Sequence, residues 1–103
     1  MQKVIRDGNV AVVYSPGYGA GWTTWSVPVE GAFHPELVDA IDRDASEEEL
    51  IKISERLFGK DIYYGGAAQL CIEWLPVGTA FRIDEYDGSE SIEIISEINY
   101  LVA

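Results

Sequence analysis

Two Asp-Gly dipeptides constrain the fold of this 103-residue chain more than any other feature. Asp7-Gly8 and Asp87-Gly88 each lie between runs in which β-branched or alternating apolar residues are frequent. Asp-Gly is typical of the two-residue type I′ turn, because both central residues of that turn need a positive φ angle. The sequence therefore predicts a β-hairpin near each end, the first with strands over 3–6 and 9–15.

The register of the second hairpin follows from its two-residue turn by counting outward. The predicted pairs are Tyr86 with Ser89, Glu85 with Glu90, Asp84 with Ser91, Ile83 with Ile92, Arg82 with Glu93 and Phe81 with Ile94. One face is then largely apolar, while on the other Arg82 meets an acid. The preceding segment "QLCIEWLP" alternates apolar and polar residues. It is therefore predicted to be a third strand of this C-terminal unit, joined to the hairpin by a turn at 76–78.

Two helices are predicted between the hairpins. The segment 46–58 has Ser46 as its N-cap and Glu49 three residues later, which together form a capping box. A shorter helix over 35–42 begins with a proline, which suits the first position of a helix. The segment "WTTWSVPV" is rich in aromatic and β-branched residues, so it is predicted to be extended until Pro28 interrupts it.

These elements predict a single α+β domain over residues 1–103. The N-terminal hairpin and the C-terminal three-stranded antiparallel unit would form one or two sheets, with both helices packed on one face. The length of the chain is sufficient for one hydrophobic core. The predicted core comprises Val12, Trp25, Leu50, Ile53, Leu57, Ile72, Trp74, Phe81, Ile83 and Ile94.

The charge of the chain limits its partners. Asp and Glu number 18 against 7 Lys and Arg, which gives a formal net charge of −11. Such a charge repels a phosphate backbone, so direct binding to nucleic acid is not expected. Residues 62–103 hold seven acidic side chains and one basic side chain. This excess has two interpretations, an ordinary solubilising charge or a surface made for a basic partner.

The sequence also predicts a cytoplasmic protein without membrane contact. No apolar run approaches the roughly 18 residues that a membrane span needs, and the N-terminal segment lacks the apolar stretch of a signal peptide. Cys71 is the one cysteine, so it cannot form an internal disulfide. These features fit a reducing compartment.

The chain offers few residues for catalysis. His34 and Cys71 would have to meet to form a thiol–imidazole pair, but Cys71 alternates within an apolar strand and is expected to be a buried small hydrophobe. His34 is better interpreted as a residue at a helix entrance. The carboxylates near the second hairpin turn lack the ligand spacing of an EF-hand loop. No enzyme activity, cofactor or metal site is therefore predicted.

The segment "SPGYGAGWTTW" has the glycines of a phosphate-binding loop without its other residues. A P-loop needs a lysine, and none lies between Lys3 and Lys52. The dinucleotide fingerprint needs a third glycine where Trp22 stands. Two interpretations remain, a tight turn whose tryptophans fill the core, which is favoured, and an aromatic ligand pocket. The pocket would use Arg6, Gly17, Tyr18, Gly19, Gly21, Trp22 and Trp25.

Four segments carry a resemblance to a known group of proteins. They are "VIRDGNVAVVYSPGYGAGWTTW", "ELVDAI", "ISERLFG" and "GTAFRIDEYDGSESI". Together they resemble a family of small, acidic, uncharacterised proteins encoded by tailed phages and prophages. The resemblance covers most of the chain and implies a setting rather than an activity. Small phage accessory proteins of this size often act by binding a host enzyme, a defence system or a nucleotide signal.

The missing catalytic set and the acidic C-terminal region predict a non-enzymatic binding protein. The resemblance to phage-encoded proteins implies that it modulates a host macromolecule, for counter-defence or host takeover. Its expected partner is a host protein with a basic surface. The predicted interaction surface comprises Asp84, Glu85, Asp87, Glu90 and Glu93.

The alternative is a small-ligand or nucleotide-binding protein that uses the loop 16–25. An anionic ligand would approach a negatively charged protein, so this alternative needs local positive charge from Lys3 or Arg6, or a residue from a second subunit. A homo-oligomer would then build the pocket across its interface.

Overall fold

The computed structural model describes residues 2–17 and 21–95, which form two antiparallel sheets and two α-helices. The strands are β1 (Ile5–Arg6), β2 (Asn9–Tyr14), β3 (Cys71–Pro76), β4 (Phe81–Tyr86) and β5 (Ser89–Ile94). The α-helices are α1 (Pro35–Asp42) and α2 (Glu47–Phe58), and 3₁₀ helices cover Val29–Ala32 and Gly65–Gln69. The predicted α+β class is confirmed.

Both predicted hairpins are confirmed, and both turn at Asp-Gly. Asp7 and Gly8 have φ angles of 49° and 78°, and Asp87 and Gly88 have φ angles of 53° and 83°. In the second hairpin all of the predicted pairs occur, from Phe81 opposite Ile94 to Tyr86 opposite Ser89. The turn type therefore sets the register, as local turn chemistry requires.

The third strand belongs to the other sheet, and its predicted place in a C-terminal three-stranded unit was wrong. β3 pairs antiparallel with β2, which gives the order β1-β2-β3, while β4 and β5 form a separate two-stranded sheet. The register places Val13 opposite Ile72 and Val10 opposite Leu75. Cross-strand pairs of this kind extend both apolar faces of β2 onto β3, which explains why β3 pairs there.

The strand β2 is the centre of the molecule because it is buried on both faces. Ala11, Val12 and Val13 are all fully buried. Ala11 and Val13 pack with residues of the two helices, whereas Val12 packs on the opposite side with Leu75 and with residues of β4 and β5. Because neighbouring side chains of a strand point to opposite faces, the described chain has three layers, with helices, central sheet and second hairpin in that order.

The predicted helices are confirmed, with α1 spanning the predicted residues and α2 beginning directly after its cap. The hydroxyl of Ser46 accepts a hydrogen bond from the backbone N–H of Glu49 at 3.2 Å. α1 contacts β2 and β3, while α2 packs against α1 and the 3₁₀ helix Gly65–Gln69. Neither of these α-helices has the length and apolar character that a membrane span would need.

Tyr64 connects the end of α2 to the core. Its hydroxyl oxygen lies 2.6 Å from the carbonyl oxygen of Gly59 and 3.1 Å from that of Ser54, so its one proton serves the nearer acceptor or is shared by both. Its ring lies 6.1 Å from that of Trp22. Burial, with a smaller contribution from the charge of Glu55, raises the pKa of this hydroxyl. Tyr64 therefore stays a neutral donor and holds the helix end against the core.

The segment "WTTWSVPV" is a turn followed by a 3₁₀ helix, so its predicted extended conformation was wrong. The backbone N–H groups of Trp25, Ser26 and Val27 all donate to the carbonyl oxygen of Trp22. The Trp22 indole is fully buried and donates to the carbonyl oxygen of Gly31 at 3.0 Å. Burial of this large ring outweighs the β propensity of its neighbours, since propensity is a weak preference that tertiary packing overrides.

The predicted core is correct in part. Val12 and Leu50 are buried, and six further members are half-buried and pack against the core: Ile53, Leu57, Ile72, Trp74, Phe81 and Ile83. Trp25 and Ile94 were wrongly predicted, because they are 49% and 52% exposed. Trp22 fills the core in place of Trp25, and Ile94 lies at the open end of the second hairpin.

Candidate functional site

Glu90 has the most unusual environment in the described part of the chain. It belongs to β5, shares a face with Ile92, and is only 2% exposed. Its predicted place on the exposed acidic surface was therefore wrong. The register places Glu90 on the inner face of the hairpin with Ile92. The described loop residues cover its carboxylate there, whereas Glu85 on the same face stays exposed.

Four hydrogen bonds satisfy the buried carboxylate of Glu90, and we call these residues the Glu90 network. Oε1 accepts from the backbone N–H of Ser15 at 2.9 Å. Oε2 accepts from the backbone N–H groups of Trp22 and Thr24 at 2.7 and 3.1 Å, and from the Thr24 hydroxyl at 2.6 Å. A buried carboxylate is tolerated only when its oxygens are hydrogen-bonded in this way. The network joins the loop after β2 to the second hairpin.

Further backbone contacts hold the same two segments together. The N–H of Gly21 donates to the carbonyl oxygen of Gly88 at 2.6 Å, and the N–H of Glu90 donates to that of Ser15 at 2.8 Å. The Ser89 hydroxyl donates to the carbonyl oxygen of Pro16 at 2.6 Å. The described part of the loop and the tip of the hairpin therefore form one unit.

Gly21 of this loop and Gly66, which packs against it, allow close packing. Gly21 has a φ angle of 73°, and a Cβ at that position would lie 2.5 Å from Cγ of Trp25. A Cβ at Gly66 would collide with the carbonyl oxygen of Gly21. These positions need glycine for conformation and for space, which supports the interpretation of the loop as a structural turn.

Three backbone amides in and beside the described part of the predicted ligand loop are already occupied by a carboxylate. The N–H groups of Ser15, Trp22 and Thr24 point to the Glu90 carboxylate. Such an arrangement of backbone donors is what binds phosphate in other proteins, and here the chain supplies its own anion. The loop therefore leaves no room for phosphate at these three donors.

The structure does not assemble the predicted pocket residues into one site. Tyr18 and Gly19 lie outside the described residues. Gly17, Gly21 and Trp22 are buried, whereas Trp25 is exposed. Among the described residues of the predicted pocket in this loop, only Trp25 offers an accessible ring.

Arg6, the predicted source of positive charge, is engaged elsewhere. Its guanidinium pairs with Asp42 of α1 at 2.8 Å and lies 5.1 Å from the ring centre of Trp74. Lys3 lies over the ring of Phe33 at 4.8 Å. Neither cation contacts the described residues of the loop in these interactions, so the positive charge required by the nucleotide-binding alternative is not supplied there.

The remaining members of the predicted acidic surface do share one hairpin. Glu85, Asp87 and Glu93 are exposed. Asp84 is partly exposed and pairs with Arg82 of the same strand at 3.0 Å. The hairpin thus presents exposed carboxylates while its basic residue is neutralised by a neighbour.

Two exposed aromatic rings lie beside this acidic surface. Trp25 and Tyr63 are 49% and 53% exposed, with ring centres 6.4 Å apart. The Trp25 indole N–H donates to Oε2 of Glu85 at 3.4 Å. Tyr86, next to Glu85 on β4, is 79% exposed. Large exposed aromatic side chains beside charged ones are typical of protein interfaces.

The other residues considered for catalysis, His34 and Cys71, do not form a catalytic site. The His34 side chain caps α1, with Nδ1 accepting from the N–H of Glu36 at 3.2 Å, as expected for a residue at a helix entrance. Cys71 is exposed at the start of β3, so its predicted burial was wrong. No group of three or more potential metal ligands occurs within residues 2–17 and 21–95.

A groove with a volume of about 320 Å³ lies between the first 3₁₀ helix and β4. Phe33, Phe81 and Ile83 supply apolar surface to it, and Thr23 and Thr24 supply hydroxyl groups. Arg82, which also lines the groove, is already paired with a carboxylate. The groove is separate from the glycine positions on which the predicted pocket depended.

Sequence reasoning missed two features of this region. The first is the buried role of Glu90, although the predicted register already placed it on the face of Ile92. The second is Tyr63, which the fold brings to Trp25 from 38 positions away along the chain. The position of Glu90 on the inner face could be inferred from the sequence, whereas nothing in the sequence indicated that Tyr63 contacts Trp25.

Comparisons with protein families, with curated proteins and with solved structures find no match to this chain.

Proposed function

We propose that this protein is a non-enzymatic binding protein of a phage or prophage that modulates a host macromolecule in the cytoplasm. It would bind through the exposed carboxylates of the second hairpin, which are Glu85 and Asp87 at and beside the turn and Glu93 on the outer face. The observation that carries the proposal is the exposure of these carboxylates on a hairpin whose one basic residue, Arg82, pairs with Asp84. The resemblance to phage-encoded proteins supplies the biological setting.

Electrostatics favour a host protein with a basic surface as the partner. With a net charge of −11, the chain attracts positively charged surfaces and accelerates their association. The same charge disfavours nucleic acid, whose phosphates would be repelled. Exposed aromatic side chains next to the carboxylates supply the apolar contact that charge alone does not give.

The attachment of the hairpin supports this role. Ile83 and Ile92 pack against the core on its inner face, and the Glu90 network holds its tip. A surface held in this way loses little conformational entropy when a partner binds, which favours affinity.

Charge reversal at two of the exposed positions tests the proposal. The variant Glu85→Lys/Glu93→Lys should lose capture of a basic protein from bacterial lysate at low salt, and its association rate should depend less on salt. The matched control is Glu30→Lys/Asp61→Lys, which changes the net charge equally at two other exposed sites. Equal capture by both variants, or no basic protein captured by the unmodified chain, would overturn the proposal.

A further inference from the structure

The exposed ring pair beside Glu85 indicates what chemical group the partner presents. We propose that Trp25, Tyr63 and Glu85 form a recognition site for an arginine side chain of the partner protein, and we call these three residues the aromatic–acidic site. This inference rests on the proposed function and names the partner group that would contact this part of the surface. It concerns two residues that lie outside the hairpin.

The three side chains converge in the structure and remain accessible. The rings of Trp25 and Tyr63 are about half exposed, lie 6.4 Å apart and are inclined by 31°. The indole N–H of Trp25 reaches the Glu85 carboxylate at 3.4 Å. An incoming group would therefore meet a ring surface and a negative charge within one side-chain width.

The site is held in place by contacts that do not involve its accessible surfaces. Trp25 lies in a turn whose N–H groups bond to the Trp22 carbonyl oxygen, and its ring lies against Gly21. The Ser26 hydroxyl donates to the carbonyl oxygen of Tyr63 at 2.7 Å, which joins the two aromatic segments. The site is thus preorganised, so little ordering would be needed when a ligand binds.

Arginine is the side chain whose chemistry matches all three residues. Its planar guanidinium stacks on aromatic faces through cation–π attraction, and its N–H groups pair with a carboxylate. Both hydrogen bonds that the described residues donate to Glu85 end on Oε2, from Trp25 and from the N–H of Gly88 at 2.9 Å. A guanidinium approaching the rings would reach the same carboxylate through its other oxygen. Lysine lacks the planar surface, and an anion would be repelled.

Two other aromatic rings of this chain are already in contact with a cation of the chain itself. Trp74 carries the guanidinium of Arg6, and Phe33 carries the ammonium of Lys3. In the described ranges the ring neighbour of Trp25 is Tyr63, which is neutral. The ring pair therefore lies in an acidic environment without the kind of cation that covers Trp74.

The test uses the full chain and a nine-residue arginine peptide, with a nine-residue lysine peptide for comparison. Three tryptophan indole N–H signals can be followed separately by NMR during titration. The arginine peptide should shift the Trp25 signal and leave that of Trp22, which is buried and bonded to Gly31. Trp25→Ala and Glu85→Gln should each weaken its binding about tenfold.

Two variants provide matched controls on the same hairpin. Tyr86→Ala removes a highly exposed aromatic side chain, and Glu93→Gln removes an exposed carboxylate, both outside the site. Each should change the affinity for the arginine peptide by less than about threefold. Thermal unfolding of every variant shows whether the fold is retained, and Glu85→Gln supplies the test if Trp25→Ala fails to fold.

The outcomes separate this inference from the proposed function. If Trp25→Ala and Tyr86→Ala bind the arginine peptide equally, or the lysine peptide binds equally well in a Trp25-dependent way, the arginine site is overturned. The proposed function would still stand in that case if Glu85→Lys/Glu93→Lys lost its basic partner in the lysate experiment. A Trp25 signal that moves alone, together with a preference for arginine, would support the inference.

Discussion

The two Asp-Gly hairpins have nearly the same turn but are held to the molecule in different ways. The aspartates of both turns have φ angles near 50°, and both glycines have φ angles near 80°. The first hairpin continues into a three-stranded sheet, because β2 also pairs with β3. Among the described strands the second pairs only with itself, and its inner side chains and backbone hydrogen bonds to Ser15 and Gly21 attach it to the rest of the molecule.

The side chains that attach the hairpins differ in burial. Arg6 of the first hairpin uses exposed contacts with Asp42 and the ring of Trp74. Glu90 of the second uses a buried carboxylate with four donors. A buried charge is costly to leave unpaired, whereas an exposed ion pair contributes little. The comparison teaches that similar turns can depend on very different contacts for their stability.

Of the substitutions considered, Glu90→Gln should lower the free energy of unfolding most, because it disrupts the buried attachment of the second hairpin. The amide places an NH₂ group against at least one of the donors that now face a carboxylate oxygen. We expect the free energy of unfolding to fall by about 3 kcal/mol, because buried donors lose their acceptor. Urea denaturation followed by tryptophan fluorescence measures this loss. Hydrogen exchange should also become faster at the amides of Ser15, Trp22 and Thr24.

The control for this prediction is Glu93→Gln on the same strand. Glu93 is exposed and lies opposite Arg82 on the outer face. Its substitution should change the free energy of unfolding by no more than about 0.5 kcal/mol. Equal effects of the two substitutions would show that the Glu90 network does not attach the hairpin.

Substitution of the two turn glycines should have smaller and unequal effects on the free energy of unfolding. A Cβ at Gly8 would meet no described atom within 4 Å, so Gly8→Ala should cost about 1 kcal/mol for the positive φ angle alone. Gly88 is buried and accepts a hydrogen bond from Gly21. Gly88→Ala should therefore cost about 2 kcal/mol, since strain adds to loss of this contact. Chemical denaturation of both variants tests the order, and an equal cost would contradict it.

Arg6→Gln should have the smallest effect. It removes an exposed ion pair with Asp42 and a cation–π contact with Trp74. The expected loss is about 0.5–1 kcal/mol at low salt. The loss should decrease as salt is added, because exposed charges are screened. Denaturation at two salt concentrations measures it, and a loss as large as that of Glu90→Gln would remove the contrast between the hairpins.

The parts of the candidate site that depend on neighbouring residues in the sequence could be predicted, and the parts that depend on distant residues could not. The register placed Glu85 opposite Glu90 correctly, because a two-residue turn fixes it. Their different burial was not predicted, since it depends on Ser15, Trp22 and Thr24, which cover the Glu90 carboxylate. Trp22 and Trp25 show the same limit, because both are aromatic residues of one segment and only the packing distinguishes them.

The sequence by itself determined the two turns, the hairpin register and both helices with the Ser46 cap. These features depend on backbone conformations and hydrogen bonds within a few residues, which local residue types specify. Only the tertiary structure decided that β3 joins β2, that Glu90 is buried, and that Trp25 meets Tyr63 and Glu85. Those outcomes depend on which distant surfaces exclude water from each other, and no short segment contains that information.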